Sequence, residues 1–293
     1  MIRSFCNEME FPKEAEEIFS ETYDKLLADK NSLSRIYEIM DSYFMGSDDS
    51  HVAALEEIAD KLGVHKYTLN MVFLIMSAKP LKYMYYIKGY SDEVYHNTMK
   101  DLRYKLDECF KRHGVWGTYE LEWYRFFMKC GIFALGRMQF QPMVSEEDYG
   151  DSTKKGDTVY VCHIPSGSPL KIEDVYDSLD KAYEFFGGEG EMTFRCTSWL
   201  FYPPQYEMYK PGSNLRNFYD IWEMSASDTT NSNFWRVFYK EPDAELSEIV
   251  PKTSLEKSLL EHMKNGGTMG YARGYLKYCP KYHGKMNHGK VKE

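Results

Sequence analysis

Long apolar runs, paired cysteines and clustered positive charge are all scarce in this sequence of 293 residues. No segment approaches the roughly 18 apolar residues that a membrane-spanning helix needs. The opening MIRSFCNEMEF lacks the charged-then-apolar design of a secretory leader, so a soluble cytoplasmic protein is expected. Six cysteines stand far apart, at Cys6, Cys109, Cys130, Cys162, Cys196 and Cys279, with no C-x-x-C among them. That spacing predicts reduced thiols rather than a disulfide framework. The formal net charge is -9, with no basic stripe, which argues against a nucleic-acid partner. The tail from Lys277 to Glu293 is basic and holds His283 and His288, but no Cys or carboxylate spacing completes a metal site, so no metal is expected. No internal repeat is present, and nothing in the sequence sets an oligomeric state.

Aromatic residues are plentiful at 16%, with 25 tyrosines. They suit either tyrosine-rich cores or an aromatic ligand cleft. The first third reads as helices. Ala15, Ile18, Phe19, Leu26 and Leu27 return on one face between Lys13 and Ala28, and Ile36, Ile39, Met40, Tyr43 and Phe44 repeat the period. LEEIADKLGV has the pattern that opens a helix-turn-helix, although the acidity of the chain speaks against DNA. Ser91-Asp92-Glu93 should cap one helix carrying Tyr95, Met99, Leu102, Leu106 and Phe110.

After His113-Gly114 the texture changes, which places an expected domain boundary between residues 1–114 and 115–293. A helix is predicted over Thr118 to Lys129, then strands in GIFALGRMQFQPMV, DTVYVCHIP and MTFRCTSWLFY. Between the last two, Ile172, Val175, Leu179, Ala182 and Phe186 mark a helix, and a short one is expected around Gln205 to Tyr209. SNLRNFYDIWEM and NFWRVFYK read as late strands. Thr253-x-x-Glu256 opens a capped helix that Asn265-Gly266-Gly267 ends. The order predicts an α+β fold, a helical N-terminal domain followed by mixed strands and helices, rather than a run of βαβ units.

One corner concentrates chemistry. His163 ends a strand and meets the turn PSGSP before a helix begins. Ser166, Gly167 and Ser168 could offer hydroxyls and backbone N–H groups to a phosphate, or simply cap a strand-to-helix corner. Glu173 and Asp174 already answer the helix dipole there. A nucleophilic Cys196 or Ser198 served by His163 is a further arrangement, but no G-x-S-x-G elbow exists, and Ser198 reads better as a hydrogen-bonding group at a cleft. Arg137 lies inside an apolar strand, where it should pair with a buried carboxylate or meet an acidic substrate.

WYRFFMKCGIFALGRMQFQ, HIPSGSPL and CTSWLFYP, preceded by GYSDEVYHNTMKDL, resemble a bacterial acyltransferase-like family. Its members join a helical N-terminal domain to a GNAT-like (Gcn5-related N-acetyltransferase) C-terminal domain. The resemblance implies a GNAT-like twisted, mostly antiparallel sheet flanked by helices, with acyl-CoA held where two strands splay apart, beside Val161, Cys162 and the turn Ser166-Gly167-Ser168. It implies attack on the thioester by an amine or hydroxyl of a small-molecule acceptor, with Tyr206 or Tyr209 as acid; His163, at the strand end, could serve as the base or simply pin the corner by bonding a backbone carbonyl. The turn lacks the superfamily's [RQ]-x-x-G-x-[GA] pattern. A non-catalytic module that binds acyl-CoA or a metabolite and signals to a partner is the alternative.

Overall fold

The apolar stripes read in the first third become the buried sides of helices, except at Leu27, which is exposed, in the computed structural model, which describes residues 1–45, 50–151, 153–230 and 233–281. The chain divides into two units, Met1–Ala134 and Leu135–Glu293. The first holds α1 (Ile2–Glu8), α2 (Lys13–Ala28), α3 (Lys30–Met45), α4 (Ser50–Leu62), α5 (Lys66–Ile87), α6 (Asp92–Met99), α7 (Asp101–His113) and α8 (Tyr124–Met128). In α5 every residue from Thr68 to Ala78 is buried, so this helix is apolar all round and forms the unit's axis. Ser91 caps α6 by accepting from the Val94 N–H at 3.2 Å.

Two sequence expectations change here. The helix expected through Phe110 divides at Lys100 into α6 and α7. Phe110 is exposed at its far end and stacks on Trp116, with ring centroids 3.9 Å apart. The helix expected over Thr118 to Lys129 shrinks to α8, because the backbone before it bonds elsewhere. The Thr118 N–H donates to the Tyr67 carbonyl at 2.9 Å, and the Thr68 hydroxyl to the Trp116 carbonyl at 2.9 Å. Those bonds tie residues 116–118 to α5, so the division between units falls well beyond Gly114, which only closes α7 in a left-handed conformation.

The second unit is built on a six-stranded sheet of order β1-β2-β3-β4-β6-β5. The strands are β1 (Phe133–Leu135), which crosses the division between the units, β2 (Met138–Val144), β3 (Thr158–His163), β4 (Met192–Ser198), β5 (Glu223–Thr229) and β6 (Gly270–Tyr278). β2/β3, β4/β6 and β5/β6 pair antiparallel, while β3/β4 pair parallel. Four helices accompany them: α9 (Ile172–Phe185), α10 (Asn214–Asp220), α11 (Phe234–Phe238) and α12 (Ser254–Lys264). The α+β class is what the element order predicted, and the mostly antiparallel sheet is what the resemblance implied.

The late strands are corrected. SNLRNFYD forms α10, capped by the Ser213 hydroxyl, and only then does β5 begin. NFWRVF forms α11, whose Phe234, Val237 and Phe238 pack with Leu259 and Leu260 of α12 and with Met269. Period-three burial, not alternation, satisfies those aromatics. β4 stops at Ser198, and Trp199–Phe201 turn into a 3₁₀ helix rather than prolonging the strand. The capping box at Thr253 and Glu256 forms as read. His283 and His288 lie outside the described residues.

Candidate functional site

β3 and β4 run side by side and then part. Tyr160 pairs with Phe194, Val161 with Arg195 and Cys162 with Cys196; there the pairing stops. Beyond that row β3 stays with β2, through Gln139 and His163, while β4 stays with β6 through Thr197/Arg273 and Ser198/Ala272. The sheet therefore opens at the C-terminal ends of two adjacent parallel strands, where ligand sites tend to form in sheets with parallel strands. Val161 and Cys162, both buried, are the last β3 residues paired to β4.

Alternation sends the side chains of this opening to two different faces. Phe140, Cys162, Phe194, Cys196 and Tyr278 share one face, where Tyr278 donates to Asp180 of α9 at 2.5 Å. Burial raises the thiol pKa of both Cys162 and Cys196, so each is a neutral thiol. Gln139, Gln141, His163, Arg195, Thr197 and Arg273 share the other face. The segment between β2 and β3 covers the lower part of that face, with Tyr149 packed on Val159 and Tyr275 and Thr153 bonded to Thr193 at 2.5 Å. The polar upper part lies beside the parting strands.

His163 is partly buried and its Nε2–H donates to Oε1 of Gln141 at 3.0 Å. An amide oxygen only accepts, so this bond fixes the proton on Nε2 and the lone pair on Nδ1. Burial first, and the Arg195 charge second, push the imidazole pKa down to about 4. At neutral pH it is an uncharged group able to accept a proton, though a weak base.

The turn after β3 is exposed from Ser166 to Pro169, and Gly167 adopts φ 119°, a conformation that suits glycine. Arg137 holds it from the β1–β2 hairpin: Nε donates to the Ser168 carbonyl and Nη1 to the Pro165 carbonyl, both at 2.9 Å. Arg137 thus positions the candidate phosphate turn. The hairpin is itself locked to α9, since the Ser178 hydroxyl accepts from the N–H groups of Arg137 at 2.7 Å and Met138 at 3.3 Å. Lys171 starts α9 with no side-chain cap.

The remaining candidates sit in the 3₁₀ segments after β4. Ser198 caps Trp199–Phe201, accepting from the Leu200 N–H at 3.2 Å. The Tyr209 hydroxyl is buried and donates to the Leu200 carbonyl at 3.0 Å. The Tyr206 hydroxyl donates to Asp220 at 2.7 Å, and the Arg216 guanidinium lies 3.2 Å over its ring. The hydrogen bond to Asp220 is the main reason the Tyr206 pKa rises. The structure thus gathers His163, Gln141 and the Ser166-Gly167-Ser168 turn around one opening, and Arg137 behind the turn. It puts Cys196 on the face opposite His163 and gives Ser198 and Tyr209 local backbone partners.

Sequence reasoning missed Gln141, Arg195 and Arg273. Arg195 carried a signal, a charged residue alternating with Phe194 and Cys196 in an apolar strand, whereas Arg273 lies in a strand hidden by glycines.

Residues 1–130 match the N-acyltransferase N-terminal domain, and residues 132–276 match the GNAT-like C-terminal domain. An acyltransferase crystallised with decanoyl-CoA and teicoplanin is similar in fold, with a TM-score of 0.72 and 19% identity over 94% of this chain and 87% of that one. A variant acyltransferase crystallised with octanoyl-CoA superposes with a TM-score of 0.73 at 18% identity, again over 94% of this chain and 87% of the other. No curated protein gives a significant match. Among the described residues no helix is long and apolar enough to cross a membrane. The chain belongs to the family that joins an N-acyltransferase N-terminal domain to a GNAT-like C-terminal domain.

Proposed function

We propose that the protein transfers an acyl group from acyl-CoA to an amine or hydroxyl of a small-molecule acceptor. The parting of β3 and β4 beyond Cys162 and Cys196 carries this reading. It offers a slot for the pantetheine arm beside Val161 and Cys162, with the Arg137-braced turn and the start of α9 placed for the phosphates. The similar acyltransferases were crystallised with decanoyl-CoA and octanoyl-CoA, which makes medium-chain thioesters the first donors to try.

In the step proposed, the acceptor nitrogen or oxygen bonds to the thioester carbonyl carbon and gives its proton to Nδ1 of His163. The C–S bond then breaks, and CoA leaves as a thiolate that takes up a proton. Holding the two reactants in line supplies most of the acceleration, and His163 adds a proton acceptor. Of the two tyrosines Tyr206 is the candidate acid, because it is partly exposed and would exchange its bond to Asp220 for one to the thiolate, whereas the Tyr209 hydroxyl is buried against the Leu200 carbonyl. Neutral thiols at Cys162 and Cys196 favour direct transfer over a covalent acyl-enzyme.

The second reading, a non-catalytic acyl-CoA sensor, draws support from the low basicity of His163. Calorimetric titration with acyl-CoAs of increasing length, followed by a thiol-release screen of amines and alcohols, separates the two. Saturable binding with thiol release supports transfer. Binding without release from any acceptor supports the sensor, and no binding across the series overturns both.

A further inference from the structure

The polar face beside the opening carries more positive charge than its own partners answer. Arg195 projects from β4 on the His163 side of the sheet, one cross-strand position from Val161. Its Nη2 reaches the Met143 sulfur at 3.9 Å, a weak acceptor, and its Nε is buried with no hydrogen-bond partner among the described residues. A guanidinium has five N–H donors, and a desolvated one that meets so few acceptors is costly. Arg273 lies diagonally across on β6, since Thr197 pairs with Arg273 and Arg195 with Tyr275. It pairs with Glu147, yet its Nε is likewise buried without a partner among the described residues.

Two guanidiniums thus answer to one carboxylate. Both act on Glu147, whose pKa is lowered by Tyr149 and Arg273 bonding and by the Arg195 charge, against a desolvation that opposes them. Of the other acids near that face, Glu223 bonds the Tyr275 hydroxyl, the Asp151 charge acts on the same tyrosine, and Asp228 accepts from the Thr229 N–H at 2.7 Å. The site is reachable, because Thr197 between the two arginines is exposed and the Arg273 side chain keeps 32% of its surface.

Given the acyltransfer reading above, we infer that the acceptor carries a carboxylate, received by Arg195 with Arg273 and Glu147 as its brace, while its amine faces His163. The fork of a guanidinium matches a carboxylate with two parallel hydrogen bonds. The acceptor class that joins a nucleophilic amine to a nearby carboxylate is the amino acid, so the product is an N-acyl amino acid. The carboxylate also offsets the Arg195 charge that depresses His163, which makes the imidazole a better base when the acceptor is bound.

The test uses the full chain and product-side probes, so that it does not depend on turnover. Calorimetry compares N-decanoyl amino acids with their carboxamides, and decanoyl-CoA serves as the control for the donor slot. The acids should bind about tenfold or more tightly than the amides. Arg195→Gln should erase that preference and leave decanoyl-CoA affinity within about twofold, a change under half a kcal/mol. Thr197→Glu, at an exposed position, should erase it as well by supplying a carboxylate within the protein. Equal binding of acid and amide overturns the inference, as does no binding of either. A loss of decanoyl-CoA affinity in Arg195→Gln overturns it too, by assigning the arginine to CoA phosphate. Failure of decanoyl-CoA to bind the unmodified protein instead overturns the acyltransfer reading on which the inference rests.

Discussion

Arg137 donates from Nε to the carbonyl of Ser168 at 2.9 Å, so a hairpin arginine holds the turn that follows β3. A second bond, to Pro165, uses the same planar group. Arg137→Met should therefore leave the fold intact and raise KM for acyl-CoA by about tenfold, the equivalent of 1.4 kcal/mol. Arg137→Lys should recover little, since an ammonium cannot span two carbonyls with the fork of a guanidinium. Steady-state kinetics against acyl-CoA decide the matter, and an unchanged KM in both variants would separate the turn from CoA binding.

His163→Ala should lower turnover by about a hundredfold, the ordinary size of general-base catalysis. Acyl-CoA affinity, measured by calorimetry, should hardly move. Turnover equal to that of the unmodified protein removes His163 from the chemistry and favours the sensor reading.

The depressed pKa of His163 also has a thermodynamic sign. Its folded value is about 4 and its ordinary value 6.5, so between those values the unfolded chain holds a proton that the folded one refuses. Stability should fall as pH drops from 6.5 toward 4, and His163→Gln should flatten that slope. Urea midpoints at several pH values in that window check it; identical slopes in the two proteins would show that other groups govern the loss.

Ser178 is fully buried in α9 and accepts from two hairpin N–H groups while donating to the Asp174 carbonyl at 2.7 Å. Ser178→Ala leaves two buried donors without their acceptor, at a cost of about 2–4 kcal/mol. Gly136→Ala strikes the same contact, because a Cβ there would lie 2.6 Å from the Ser178 oxygen at a φ of 76°. Denaturant unfolding should show both losses. A change under about 0.5 kcal/mol for Ser178→Ala, the range of surface substitutions, would mean that water replaces the hydroxyl.

Among the cysteines only Cys130 is not fully buried, and burial pushes its pKa up to about 11. The native protein should react slowly with a thiol reagent, and then at no more than one site, whereas the denatured chain should release all six. Rapid native labelling of Cys196 would reopen the covalent route.

Much of the site was legible because it is punctuated. Pro165, Gly167 and Pro169 mark the turn, and alternation marks β3. Arg137 was singled out as a charge in an apolar strand, but its partners are backbone carbonyls far along the chain, and no spacing reveals those. β5 was misplaced because nearly all its residues are exposed, so it has no alternation to read. β6 went unread because Gly270 and Gly274 imitate a loop. Their real cause is crowding: a Cβ on Gly270 would lie 2.4 Å from the Asp228 carbonyl and the Tyr202 ring, and one on Gly274 would lie 3.0 Å from Trp222. Such approaches belong to the tertiary fold and leave no local trace.

β6 is the last strand among the described residues and yet sits between β4 and β5. During synthesis both neighbours must wait with unpaired edges until residue 278 has left the ribosome, and at about 5–20 residues per second that exposure lasts seconds. The helical unit, Met1–Ala134, has left the ribosome well before then. The hazard of misfolding is thus concentrated in the sheet, and its remedy arrives with the final strand.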